Sequence, residues 1–237
     1  MGKQSTRGRE TLVQPHIILY SHGFGVKKDS RGMFTDIATA LPEFQHEMFD
    51  YNQHDEPTNQ TFITPLSKQA KILENKIQEL RKQYPTATID IVAHSQGCIV
   101  AGMVASPEIR HTVLLAPPTD NVGDRKKSFL LNRPGVTTDE NDVIYLPRRD
   151  GSISVITPTY WDDWEDLDPI EIYNRLPTAS AATLVTATQD EVLPAIDYTH
   201  LSPKITRVDV VADHNFTGEG RAKLCDSIKA IVASQLQ

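Results

Sequence analysis

The stretch Ile89-Asp-Ile-Val-Ala-His-Ser-Gln-Gly-Cys-Ile-Val-Ala-Gly102 decides how this chain is read. Its first half is apolar and β-branched and its second half is compatible with a helix, so a strand runs into a helix through one tight turn. The turn is Ala93-His-Ser-Gln-Gly97, one residue away from G-x-S-x-G, the pattern that holds a serine on a strained strand-to-helix elbow. Small residues two before and two after the serine make room for strand and helix to cross. Gly97 supplies one of them. Ala93 adds a methyl group at the other, which weakens the motif without removing Ser95 as a candidate nucleophile. On its own the turn also fits a purely structural serine, because a hydroxyl is a poor nucleophile until a base takes its proton and a third group orients that base.

Working outward, short apolar runs alternate with amphipathic stretches, the pattern of a parallel sheet flanked by helices. Strands are expected at His16–Tyr20, Gln45–Tyr51 (weaker), Thr88–Ala93, His111–Ala116, Thr183–Ala187 and Thr206–Val211. Phe34, Ile37, Ala38 and Leu41 mark one helical face. Leu66, Ala70, Leu73, Ile77, Leu80 and Tyr84 mark a long helix, with Thr64 and Pro65 at its start and Pro85 beyond its end. A helix is expected over Gly97–Ala105, and Leu224, Ile228 and Ile231 give the buried stripe of a last one. The expected architecture is α/β: one domain over 1–237, with a mostly parallel sheet of about six strands. The segment 117–177 breaks the rhythm. It is rich in Pro, Gly, Asp and Arg, holds both tryptophans, and contains a hairpin signal over Val143–Leu146 and Ile153–Ile156 across Arg149-Asp-Gly-Ser152. So long an irregular stretch suggests an inserted lid or cap.

Asp190 lies in Ala187-Thr-Gln-Asp-Glu-Val-Leu-Pro194 and His214 in Val211-Ala-Asp-His-Asn-Phe216, each just after an expected strand. The order Ser95, Asp190, His214 is the one in which a nucleophile, an orienting acid and a base follow one another on such a sheet. Asp120 is the alternative acid. Upstream, Ser21-His-Gly-Phe-Gly25 follows the first strand and offers the Phe24 N–H, with the Gln96 N–H after the serine as its partner, for a developing oxyanion. His22 and His94 neighbour the site and are read as structural or pocket-lining. Tyr160, Trp161 and Trp164 form either an apolar pocket wall or the core of the insertion. The acids among them (Asp162, Asp163, Glu165, Asp166) are expected to face water and to disfavour strongly anionic substrates.

His-Gly-Phe-Gly, Ala-His-Ser-Gln-Gly, the Asp190 segment and Ala-Asp-His-Asn-Phe together resemble the alpha/beta-hydrolase superfamily. The chain looks most like its small feruloyl (cinnamoyl) esterases and acylglycerol lipases. That resemblance implies a serine esterase without a cofactor, acting on a small-molecule ester through Ser95, Asp190 and His214. The same residues would serve a thioesterase or acyltransferase, and a silent binding module is the alternative of another class. The segment before His16 is short for the two leading antiparallel strands of the family, which implies a trimmed sheet.

The formal net charge of −7 argues against a nucleic-acid surface. The short basic runs Arg125-Lys-Lys127 and Arg148-Arg149 are read as solvated loop charge. Two cysteines without metal or disulfide spacing fit a reducing, cytoplasmic setting, and His46, His54 and His111 show no metal spacing. No apolar run is long enough for stable membrane insertion. Gly2 and Thr6 match a myristoylation pattern, though a disordered tail is the simpler reading.

Overall fold

The computed structural model describes residues 14–121, 123–148, 150–193 and 197–233. The Gly2/Thr6 pattern, Arg149 and Pro194 lie outside them. In chain order the first half holds β1 (His16–Ser21), α1 (Met33–Ala40), β2 (Gln45–Met48), β3 (Gln53–Asp55), β4 (Gln60–Phe62), α2 (Leu66–Gln83), β5 (Thr88–His94), α3 (Gln96–Val104) and β6 (His111–Leu115). The second half holds α4 (Gly123–Leu131), β7 (Thr137–Thr138), β8 (Ile144–Pro147), β9 (Ile153–Ile156), α5 (Pro158–Asp162), α6 (Pro169–Asn174) and α7 (Leu176–Ala179). It closes with β10 (Ala181–Ala187), β11 (Thr206–Val210) and α8 (Glu219–Ala233).

The main sheet has six strands in the order β11-β10-β6-β5-β1-β2, and every pairing in it is parallel. Its central strands are mostly apolar because both faces are covered, a charged exception being the buried Asp90 of β5, which pairs with His16 and Arg110. Alternate residues go to opposite sides. Ile17, Leu19, Ile89 and Ile91 join Leu73 and Ile77 of α2 and Ile99 of α3 on one face. Ile18, Tyr20, Val92 and Val113 join Phe34 of α1 and Leu224 and Ile228 of α8 on the other. Among the described residues no helix is long and apolar enough to cross a membrane.

A second sheet, in the order β3-β4-β9-β8-β7, packs beside the first. β8 and β9 form the expected antiparallel hairpin, and β9 also pairs in parallel with β4. β3 and β4 come from Gln53–Phe62, a polar stretch in which the residues show neither period, so nothing in it marks a strand. They become strands because β9 offers them an edge.

Ala93 sits in the interior of this arrangement, fully buried, opposite Ser21 of β1 and Leu114 of β6. Its methyl group therefore fills space. Ala93→Gly is expected to cost about 1 kcal/mol of stability, since glycine loses more chain entropy in a strand. A urea midpoint series checks this, and a more stable variant would show that the methyl group is a steric burden.

Candidate active site

Ser95 lies between β5 and α3 with φ 53° and ψ −123°, a conformation that side chains rarely adopt. Its N–H donates to the Leu115 carbonyl at the end of β6 (2.9 Å), and its carbonyl accepts from Cys98 N–H (2.9 Å). The turn is thus pinned from both sides. Gly97 makes the crossing with β1 possible: a Cβ there would stand 2.2 Å from the Ser21 carbonyl oxygen and 2.7 Å from that of His22. Ser21 Oγ donates to the Gly97 carbonyl (2.9 Å), which ties the end of β1 to the start of α3.

Ser95 Oγ is 3.0 Å from His214 Nε2, and His214 Nδ1 is 2.7 Å from Asp190 Oδ2. The other carboxylate oxygen, Oδ1, accepts the N–H groups of Val192 (2.8 Å) and Leu193 (2.7 Å). The two oxygens thus have separate partners. Burial pushes the Asp190 carboxyl up, but the His214 bond and charge with those two N–H groups outweigh it and hold it below the usual range. An ionised Asp190 accepts only, so Nδ1 carries the proton and Nε2 is free to accept from the serine hydroxyl. The loops after β10 and β11, adjacent strands, bring acid and base together. Asp120 is exposed and pairs with Arg125 at 3.4 Å instead.

Both neighbouring histidines hold backbone in place. His94 Nε2 lies 3.0 Å from the His214 carbonyl, which can only accept, so Nε2 donates and Nδ1 accepts from Ser30 Oγ (3.0 Å). Burial, followed by the neighbouring His214 ring, lowers His94 to about 3. Its folded form therefore stays neutral, whereas the unfolded chain takes up the proton near pH 6.5. The stability that follows is full above about pH 6.5 and is lost as pH falls toward 3, about 4 to 5 kcal/mol in all. Urea midpoints at a series of pH values are expected to fall across that window, and His94→Gln to flatten the fall. An equal fall in the variant would remove His94 as the cause.

His22 accepts the Tyr51 N–H at Nε2 (3.0 Å), so its Nδ1 donates to the Gly23 carbonyl (2.9 Å). Burial lowers its pKa and keeps it neutral. The Gly23 carbonyl and the Phe24 N–H belong to one peptide plane and point in opposite directions. Pinning the carbonyl therefore sets the direction of the N–H. A Cβ at Gly23 would lie 3.3 Å from Ser95 Cβ, so this peptide runs close beside the serine. Gln96 opens α3, where the first N–H groups have no partner within the helix.

The side chain of Gln96 is clamped. Its Oε1 accepts from Tyr160 O–H (2.5 Å) and from Lys126 Nζ (2.9 Å), and Lys126 also donates to the Tyr160 oxygen (2.5 Å). Lys126 Nζ stands 3.6 Å from the centre of the Phe24 ring, a cation–π placement. Burial drives its pKa well below the ordinary lysine value. Lys126 thus joins the residue after the nucleophile to the facing loop. Nothing in the run Arg125-Lys-Lys127 distinguishes it, and reading that run as solvated charge is wrong for Lys126.

A cavity of about 630 Å³ opens over Ser95 and His214, with Phe24, Pro118, Phe129, Leu130, Trp164 and Leu193 among its apolar lining. Trp164 lines it; Tyr160 and Trp161 are buried and are not part of its lining. Among the described residues, Arg31, Arg125, Lys126, Arg133 and Arg148 line the cavity against one carboxylate, Glu191. Asp162, Glu165 and Asp166 face water as expected, but none of the acids of 162–166 lines the cavity, so they do not make its entrance unfavourable to anions; the basic residues line it instead. Arg148, also read as solvated, donates to the Gly25 carbonyl (2.6 Å). Among the described residues no cluster of three or more His, Cys, Asp or Glu side chains is arranged to hold a metal ion.

A parallel sheet with this strand order, a serine elbow after its central strand, and an acid and a histidine after the last two strands has the alpha/beta-hydrolase fold. Solved structures show the same likeness. Est1E from Butyrivibrio proteoclasticus superposes with a TM-score of 0.69 at 16% identity, covering 96% of this chain and 91% of that one. The esterase domain of a Rhodothermus marinus protein gives 0.63 at 17% identity, covering 93% and 88%. The Pyrococcus furiosus esterase Pf2001 gives 0.64 at 13% identity, covering 94% and 82%. No protein-family model and no curated protein sequence matches the chain.

Proposed function

We propose that the protein is a serine hydrolase of carboxylic esters. The observation that carries this reading is the unbroken chain of contacts Ser95 Oγ–His214 Nε2 and His214 Nδ1–Asp190 Oδ2, which with an ionised Asp190 fits the tautomer that catalysis requires. Ser95 Oγ attacks the acyl carbon while His214 Nε2 takes its proton. The oxyanion that forms is held by the N–H groups of Phe24 and Gln96. His214 returns the proton to the leaving alcohol, and water then releases the acid by the same steps in reverse roles. Asp190 keeps the imidazole oriented and stabilises its charged form. The esterases that share the fold support the reaction class, since the fold by itself carries many chemistries.

The test is hydrolysis of para-nitrophenyl butyrate together with labelling by a fluorophosphonate, located by peptide mass. Turnover and label on Ser95 are expected. A folded protein that does neither would be a binding module on a hydrolase scaffold.

A further inference from the structure

The charge around the cavity goes beyond the reaction class. The chain carries a formal net charge of −7, yet among the described residues five basic side chains and one carboxylate line the space over Ser95. Of the five, Arg125 is neutralised by Asp120 and Lys126 is engaged with Gln96 and Tyr160. Arg31, Arg133 and Arg148 remain. None of these three makes an ion pair with a carboxylate among the described residues, and guanidinium groups stay charged in any protein setting.

The three arginines also line a second cavity of about 700 Å³ that adjoins the first, where the charges balance: Lys27 and these arginines face Asp29, Asp50, Glu56 and Asp150. They therefore stand where the two spaces meet. Burial, and then the positive charges of Arg31 and Arg133, pull the Arg148 pKa down, with the Asp150 carboxylate on the side of the second cavity opposing them. Arg31 is held there at a conformational cost. Ser30, Arg31 and Gly32 have φ of 47°, 60° and 82°, consecutive left-handed residues, a strain that persists only where surrounding contacts impose it. Those contacts include Ser30 N–H to the Lys27 carbonyl (2.9 Å) and Ser30 Oγ to His94.

Arg148 reaches the catalytic loop directly. Its Nη1 lies 3.2 Å from where a Gly25 Cβ would be, and a Gly23 Cβ would lie 3.3 Å from Ser95 Cβ. Because two residues of chain span at most about 7 Å, the guanidinium lies within about 17 Å of the nucleophile's side chain. One small molecule can reach both.

We infer that the preferred substrates are esters that end in an anionic group, a carboxylate or a phosphate, seated between Arg31, Arg133 and Arg148 while the ester carbonyl lies at Ser95. This rests on the ester-hydrolase reading above. The apolar lining then takes the chain or ring between the two groups, and the arginines select for the charge at its end.

The experiment compares kcat/KM for matched pairs at low ionic strength. On the acyl side, mono-para-nitrophenyl esters of succinate, adipate and suberate are set against butyrate, hexanoate and octanoate. On the alcohol side, para-acetoxybenzoate is set against para-acetoxybenzamide. At least one anionic ester is expected to exceed its neutral partner by about tenfold, the scale of one partly solvated ion pair. That ratio is expected to fall toward one in Arg133→Gln and Arg31→Gln, and at high salt. Ratios of one or less in every pair, or a ratio that both variants leave unchanged, would overturn the inference. Should no ester be hydrolysed, the ester reading fails alone. Calorimetric titration with adipate then decides the anion site: binding that Arg133→Gln abolishes supports it, and no binding to the unmodified protein overturns it.

Discussion

Ser95→Ala is expected to lower kcat for a short-chain para-nitrophenyl ester by on the order of 10⁴ to 10⁶, leaving only what the oxyanion donors and binding supply. The size of the loss follows from what the hydroxyl does. It forms the bond to the acyl carbon, and its proton goes to His214 Nε2, 3.0 Å away. The fold is expected to survive, because the contacts that hold the turn belong to the backbone: Ser95 N–H to Leu115 and Cys98 N–H to the Ser95 carbonyl. Circular dichroism and the urea midpoint check the fold beside the rate. A folded variant with an unchanged rate would remove Ser95 as the nucleophile and, with it, the esterase reading.

Gly97→Ala is expected to cost at least about 3 kcal/mol of stability, at the upper end of overpacking, and to abolish turnover as well. The added Cβ would meet the Ser21 oxygen at 2.2 Å, and that atom cannot give way. It is main chain at the end of β1, which is paired on one side to β2 and on the other to β5. Relief requires α3 to move off the sheet, which carries the elbow and the Gln96 N–H with it. Urea unfolding and ester turnover measure the two effects. A variant with the unmodified midpoint would mean that strand and helix cross less tightly than the distances state. At Ala93 a methyl group is already accommodated, whereas at Gly97 one would run into the backbone of β1.

Much of the main sheet was legible because its signal is local. Apolar runs flanked by turns mark the four central strands, while the edge strands β2 (Gln-His-Glu-Met) and β11 (Thr-Arg-Val-Asp-Val) carry a weaker, more polar signal; all six fall within a few residues of the expected bounds. The order of Ser95, Asp190 and His214 was legible for the same reason: each follows a strand, and a parallel sheet puts such loops at one end. β3 and β4 were not legible. Gln53–Asp55 and Gln60–Phe62 are too short and polar to show a period, and they become strands only through pairing with each other and with β9.

Residue type, spacing and chain order were thus enough to determine the α/β class, the six-stranded sheet and the candidate residues Ser95, Asp190, His214, Phe24 and Gln96. Tertiary structure alone decided which atoms meet. It placed His94 between Ser30 and the His214 carbonyl, and it set Lys126 over the Phe24 ring. It also turned Arg31, Arg133 and Arg148, far apart in the chain, toward one space. The physical reason is range: a strand or a turn is set by neighbours a few residues away, whereas the charge of a cavity is the sum of side chains from separate elements. A basic run has the same composition whether it faces water or a substrate.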